Sequence, residues 1–155
     1  MNNLCARLLV PVDASEASLE VARFAIRMAR QYGSALAFVY VVDVSVRDLL
    51  ARVARRSPDE VLREMEETGR RTLSHLAHLA EQEGVRAEKV LRTGAMHAQV
   101  LTEAEGWGAT MIIVGKPQER ELRGLFLSRV VRQIIAGARV PVLVVGPPEA
   151  EHREE

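Results

Sequence analysis

Five short apolar runs alternate with longer stretches whose apolar residues recur every three or four positions, and that alternation leaves few folds open to the chain. The runs are Arg7–Val12, Ala35–Val42, Val85–Leu91, Thr110–Val114 and Val140–Val145. All but Val85–Leu91, a weaker third strand with three charged residues, are chiefly apolar with little polar alternation, as strands buried on both faces are. Between them Leu19, Ala22, Ile26 and Ala29 keep helical spacing up to Tyr32-Gly33. Leu127, Val130, Val131, Ile134 and Ile135 keep it again before the last run. Strands separated by amphipathic helices form βαβ units with right-handed crossovers, so the pattern predicts an α/β sandwich with a parallel sheet. The helix count it predicts is four.

Helix boundaries are marked by chemistry. Asp13 and Ser15 are both N-cap residues, and Glu16 stands three positions after Asp13 in the capping-box relation. Ser57-Pro58-Asp59-Glu60 combines a capping serine, a proline suited to the first helical position and acids in the first turn. That helix carries Val61, Leu62, Met65, Leu73, Leu76, Leu79 and Ala80 on one face and stops at Gly84. A shorter helix through Met96, Val100, Leu101 and Ala104 ends at Gly106-Trp107-Gly108, with Trp107 as a core plug. Val44 to Arg56 is charged and reads as a loop with at most one helical turn.

With 155 residues, 48% of them hydrophobic, the chain has the size of one domain with a substantial core, assigned to 1–146, and the charged tail 147–155 reads as disordered. Acidic and basic residues balance at 21 each, which removes any global field toward nucleic acid or a membrane surface. The single cysteine, Cys5, excludes an intrachain disulfide framework, and no apolar run approaches the length of a membrane span. The expectation is a cytoplasmic protein without nucleic-acid or membrane partners. His75, His78 and Glu81 share a helical step of three, but no fourth ligand accompanies them, so no metal site is assigned. No nucleophile, base and orienting acid can be assembled into a catalytic set.

The residues suited to ligand chemistry stand at two strand ends. Asp13 follows the first strand and Gly115 the fourth, and ligands of open α/β sheets sit where such ends meet. Asp13 can accept hydrogen bonds or serve the helix start, and Gly115 can admit a phosphate or make a tight turn. Lys116, Arg120, Arg123 and Arg129 put positive charge on the following loop, against Glu119 and Glu121. Those arginines suit phosphate or a solvated face equally.

The ordered set Val10-Pro11-Val12-Asp13-Ala14-Ser15, Val39-Tyr40-Val41-Val42-Asp43, Thr93-Gly94, Ile112-Ile113-Val114-Gly115 and Val140-Pro141-Val142-Leu143-Val144-Val145 resembles the universal stress protein family from about Arg7 to Gly146. The resemblance implies a three-layer, adenine-nucleotide alpha-hydrolase-like sandwich with strand order 3-2-1-4-5. It also implies dimers, and a subset of members that bind ATP. Pro11, Val12, Asp13 and Val41 would then line the adenosine half of a site, with Gly115, Lys116, Ser128 and Arg129 at the phosphate half. ATP-binding members carry a glycine, two residues, a second glycine, nine residues, then glycine with serine or threonine; here those positions are Gly115, Gln118 and Ser128-Arg129. Pro117 removes an amide donor and Gln118 adds a side chain where phosphates would lie. Ser128 and Arg129, placed near the start of the last helix, would offset this through free amides and the helix dipole.

Two functions follow from the resemblance: a non-enzymatic module that dimerises through its last strand and meets an unidentified protein partner or ligand, or a regulator that binds ATP or AMP. A slow ATPase ranks below both, since no residue is placed to position water and no acidic pair would hold Mg²⁺.

Overall fold

The computed structural model describes residues 3–116 and 122–146, with side chains omitted for 122–128. Its elements are β1 Arg7–Val12, α1 Glu16–Tyr32, β2 Ala35–Asp43, α2 Val44–Ala54, α3 Pro58–Gln82, β3 Ala87–Gly94, α4 Met96–Trp107, β4 Met111–Gly115, α5 Leu122–Gly137 and β5 Val142–Val145. All five strands are parallel and ordered β3-β2-β1-β4-β5. The chain builds outward from β1 to β3, crosses back through α4, and builds outward again from β4 to β5. That reversal puts a topological switch point between β1 and β4.

Side chains on successive strand residues point to opposite faces, which divides the core in two. Leu8, Val10, Phe38 and Ile113 pack with α1 and α3 on one face, while Leu9, Val39, Ile112 and Val114 pack with α4 and α5 on the other. Phe38, Leu8, Leu9, Ile112 and Ile113 are wholly inaccessible to solvent.

Three expectations change. Val44–Ala54 is an 11-residue helix, not a loop. The Asp43 carboxylate caps it by accepting from the amides of Ser45 and Val46, at 2.8 and 3.4 Å. Arg55 ends it in the left-handed conformation, φ 52°, so the chain has five helices. Strand β3 runs Ala87–Gly94, two residues beyond its expected start, because the Val85 amide is used to close the end of α3 on the Ala80 carbonyl. Ser57 does occupy the N-cap of α3, but its side chain makes no cap hydrogen bond.

Gly69, in the middle of α3, is a packing device the periodicity did not reveal. A Cβ there would lie 2.8 Å from Tyr40 Cδ1 and 2.8 Å from Leu91 Cδ1. Alanine gains about 1 kcal/mol of helix propensity over glycine, but overpacking a close-fitted core costs about 1–3 kcal/mol. Gly69→Ala should therefore lower the melting temperature by a few degrees, at about 2–4 °C per kcal/mol. A rise measured by calorimetry would show that Tyr40 and Leu91 yield freely.

Candidate functional site

The crevice arises from unequal strand pairing. β1 stays in register with β2 as far as Val12↔Tyr40, whereas its register with β4 covers only Leu8↔Met111 and Leu9↔Ile112. β4 meanwhile holds β5 through Gly115↔Val145, and the Lys116 amide continues the ladder to the Val145 carbonyl at 2.8 Å. The carboxyl ends of β1 and β4 thus part, each held by its outer neighbour. The cleft between them is partly open to solvent.

Pro11, Val12, Asp13, Gly115 and Lys116 all line this cleft. The helices complete it with residues that strand-end reasoning did not identify: Ala17, Ser18 and Val21 from α1, Met96 from α4, and Val130, Val131 and Ile134 from α5. The walls are chiefly apolar, with Asp13, Ser15, Ser18 and Lys116 as the polar groups. A pocket of that make-up suits a flat, largely apolar ring system oriented by a few polar contacts.

Asp13 does not cap α1. Ser15 does, its hydroxyl accepting from the Ser18 amide at 3.1 Å. Asp13 braces the preceding turn: its Oδ1 accepts from the Ser15 amide at 2.7 Å, and its own amide donates to Ser18 Oγ at 2.8 Å. Asp13 is half-buried, and its Oδ2 makes no hydrogen bond among the described residues. One carboxylate oxygen is committed to the fold and the other is free to accept from a ligand. The Asp13 charge also reaches Tyr40, whose phenol is pushed above its ordinary pKa first by burial and then by that carboxylate.

Gly115 has no left-handed φ; its lack of a side chain serves close approach, since a Cβ would come 3.0 Å from Val21 Cγ2. This sets the spacing of β4 from α1 in place of the tight turn considered from sequence. Lys116 is exposed at the rim and Arg129 is exposed on α5 outside the lining. Val41 is also not in the lining; it is 4% exposed and packs in the core beneath α4 and α5.

The expected position of Ser128-Arg129 near the start of the last helix is corrected. α5 begins at Leu122, so both residues stand in its second turn, past the first four amides that a helix leaves unpaired. Pro117, Gln118, Arg120 and the tail 147–155 lie outside the described residues, as do the side chains of Arg123 and Ser128. Elsewhere, His75, His78 and Glu81 are exposed on α3, with His78 Nε2 3.3 Å from Gln82 Nε2. Among the described residues no three His, Cys, Asp or Glu side chains gather as a metal site. Trp107 ends α4 with the Arg7 guanidinium 4.2 Å from its ring centroid, and it packs against the core.

Comparison with known proteins matches this arrangement to one family. A model of the universal stress protein family matches residues 6–146. A universal stress protein of Methanocaldococcus jannaschii is 30% identical over 149 residues, covering 96% of this chain and 86% of the relative. Among solved structures, the hypothetical protein MJ0577 superposes with a TM-score of 0.79 at 19% identity, covering 96% of this chain and all of that one. A universal stress protein from Archaeoglobus fulgidus in complex with dAMP gives 0.63 at 23% identity, covering 92% of this chain and 98% of that one. One in complex with cAMP gives 0.65 at 17% identity, with the same coverage. The matched span, the strand order and the crevice together place this chain in the universal stress protein family.

Proposed function

We propose that the chain is a non-enzymatic, cytoplasmic stress-response module that dimerises through β5 and holds an adenine nucleotide in the β1/β4 crevice. The observation that carries the ligand is the uncommitted Asp13 Oδ2 at the edge of an apolar cleft, with the Gly115-Lys116 backbone opposite. Asp13 would accept from ribose hydroxyls and the apolar walls would hold the base. Two neighbours of the same fold carry adenine monophosphates, cAMP and dAMP, in their solved complexes. The nucleoside half dominates the binding. Pro117 and Gln118 follow Gly115 and Lys116 in the sequence, and Ser128-Arg129 sits inside α5, so a β,γ-diphosphate gains little. AMP should then bind at least as well as ATP.

Melting the protein with AMP, ADP and ATP, with and without Mg²⁺, tests this. A ligand that binds only the folded state adds about 2.7 kcal/mol at a hundredfold excess over its dissociation constant. For a domain of this size that is about 5–10 °C. Replacing Gln118 with Gly and Ser128-Arg129 with Gly-Ser should raise the response to ATP above that to AMP. A flat response to all three nucleotides in both proteins would remove the nucleotide from the proposal.

A further inference from the structure

We infer that α2 is a docking helix for an anionic lipid surface. Four of the nine large apolar side chains exposed among the described residues lie on this one helix: Val46 39%, Leu49 57%, Leu50 46% and Val53 74%. They fall at i, i+3, i+4 and i+7, which makes one continuous stripe. Ala51, on the opposite side, is the helix's single buried residue and faces the protein. The stripe therefore points outward. It is also preformed, capped by Asp43 at one end and closed at the other by Arg55, with the Arg56 amide on the Ala51 carbonyl at 2.9 Å.

The charges around the stripe select the occupant. At about 100° per residue, Arg47 and Arg52 fall about 60° beyond its two edges, Leu50 and Leu49. Arg55 and Arg56 follow at its end, so residues 44–56 carry four arginines against Asp48 in a protein whose net charge is zero. Arg47 is paired with Asp48 at 2.9 Å, and Arg56 with Glu64 at 2.6 Å and Glu60 at 3.6 Å. Arg52 and Arg55 form no ion pair among the described residues. An apolar stripe edged by arginines matches an interface of acyl chains below and anionic headgroups above.

A second copy of the chain fits less well. Two α2 helices pairing antiparallel on their stripes would set the Arg47 flank of one beside the Arg47 flank of the other, and likewise the Arg52 flanks, and like charges facing each other oppose association. One short helix face also offers a patch of a few hundred Å², well below the ~800 Å² per partner of a standard interface. A balanced total charge is compatible with this local excess. Among the described residues no helix is long and apolar enough to cross a membrane, so the contact is one of lying on the surface.

Sedimentation of the full-length protein with vesicles tests the inference, using phosphatidylcholine alone and phosphatidylcholine mixed with phosphatidylglycerol. The wild type should pellet with the anionic vesicles and remain in solution with the neutral ones, and high salt should release it. The double variant Leu49→Ser, Val53→Ser changes only exposed positions and should keep its circular dichroism and melting temperature. Its partition onto anionic vesicles should fall about tenfold or more, as apolar contact is lost. Arg52→Gln with Arg55→Asn should cost about fivefold per arginine; asparagine tolerates the left-handed conformation at position 55. Equal pelleting by wild type and the serine variant would overturn the inference, as would no preference for anionic vesicles. A serine variant that falls to lower mass in light scattering, beside a wild type that ignores vesicles, would assign the stripe to self-association instead.

Discussion

Asp13→Ala should weaken AMP binding by about 10- to 100-fold while leaving the empty protein folded. The variant removes both carboxylate oxygens, and each has a separate consequence. Loss of the Oδ1 contact to the Ser15 amide withdraws one hydrogen bond from the turn before α1. That costs about 1 kcal/mol of stability, or about 2–4 °C. Loss of Oδ2 withdraws the acceptor assigned to the ribose, and hydrogen bonds to a charged group contribute about 1.5–3 kcal/mol. Calorimetric titration with AMP separates the two effects, because it reads affinity in a protein that is already folded. Asp13→Asn keeps an acceptor for the Ser15 amide and removes the charge, so it should hold its melting temperature and still lose affinity. Alanine and asparagine variants that bind AMP as the wild type does would leave Asp13 a brace for the turn alone.

What the sequence disclosed, and what it did not, follows from which residues touch the core. The strands are legible because Leu8, Leu9 and Val10, or Ile112, Ile113 and Val114, are buried on both faces, leaving runs that few other structures tolerate. α1 and α3 are legible because their buried residues, such as Ala22, Ile26 and Ala29 or Leu73, Leu76 and Ala80, repeat at the helical period. α2 has the same period, but its stripe faces solvent, and Ala51 is its single buried residue. Among so many arginines the pattern reads as a charged loop. The missed signal was Asp43, which follows the apolar run Ala35–Val42 and caps the helix that begins at once.

The crevice divides in the same way. Asp13 and Gly115 could be named from the strand ends, and the family resemblance added Pro11, Val12 and Lys116. Ala17, Ser18, Val21, Met96, Val130, Val131 and Ile134 could not, since the same apolar spacing that packs a helix on the sheet also lines the gap where the sheet parts. The start of α5 was misplaced because the clean periodicity begins at Leu127, whereas the helix begins five residues earlier at Leu122. That shift moves Ser128 and Arg129 from a helix end, where amides are free, to its interior, where they are used.

Val144→Lys should dissociate a dimer built on β5. In the observed sheet β5 is an edge, paired on one side with β4 through four residues, Val142 to Val145. Its sequence lacks the usual protections of an edge, having no charge, proline or bulge between Val142 and Val145. Val144 is 42% exposed, and on the α5 side of the sheet Ile135 is 50% exposed. Antiparallel addition of a second β5 across a twofold axis would satisfy the outer row of amides and cover these side chains. Each substitution then acts twice. With about 1–2 kcal/mol lost for each apolar side chain withdrawn, the dimer loses about 2–4 kcal/mol, or roughly 30- to 1000-fold in dissociation constant. Lysine at a half-exposed edge position extends into solvent in the monomer, so the fold itself should survive, as a preserved circular dichroism spectrum would show. Light scattering across a concentration series reads the outcome: wild type at twice the chain mass and Val144→Lys at the single mass at micromolar concentration. A wild type that stays at the single mass throughout that range would remove β5 as a dimer interface and leave the edge to another partner.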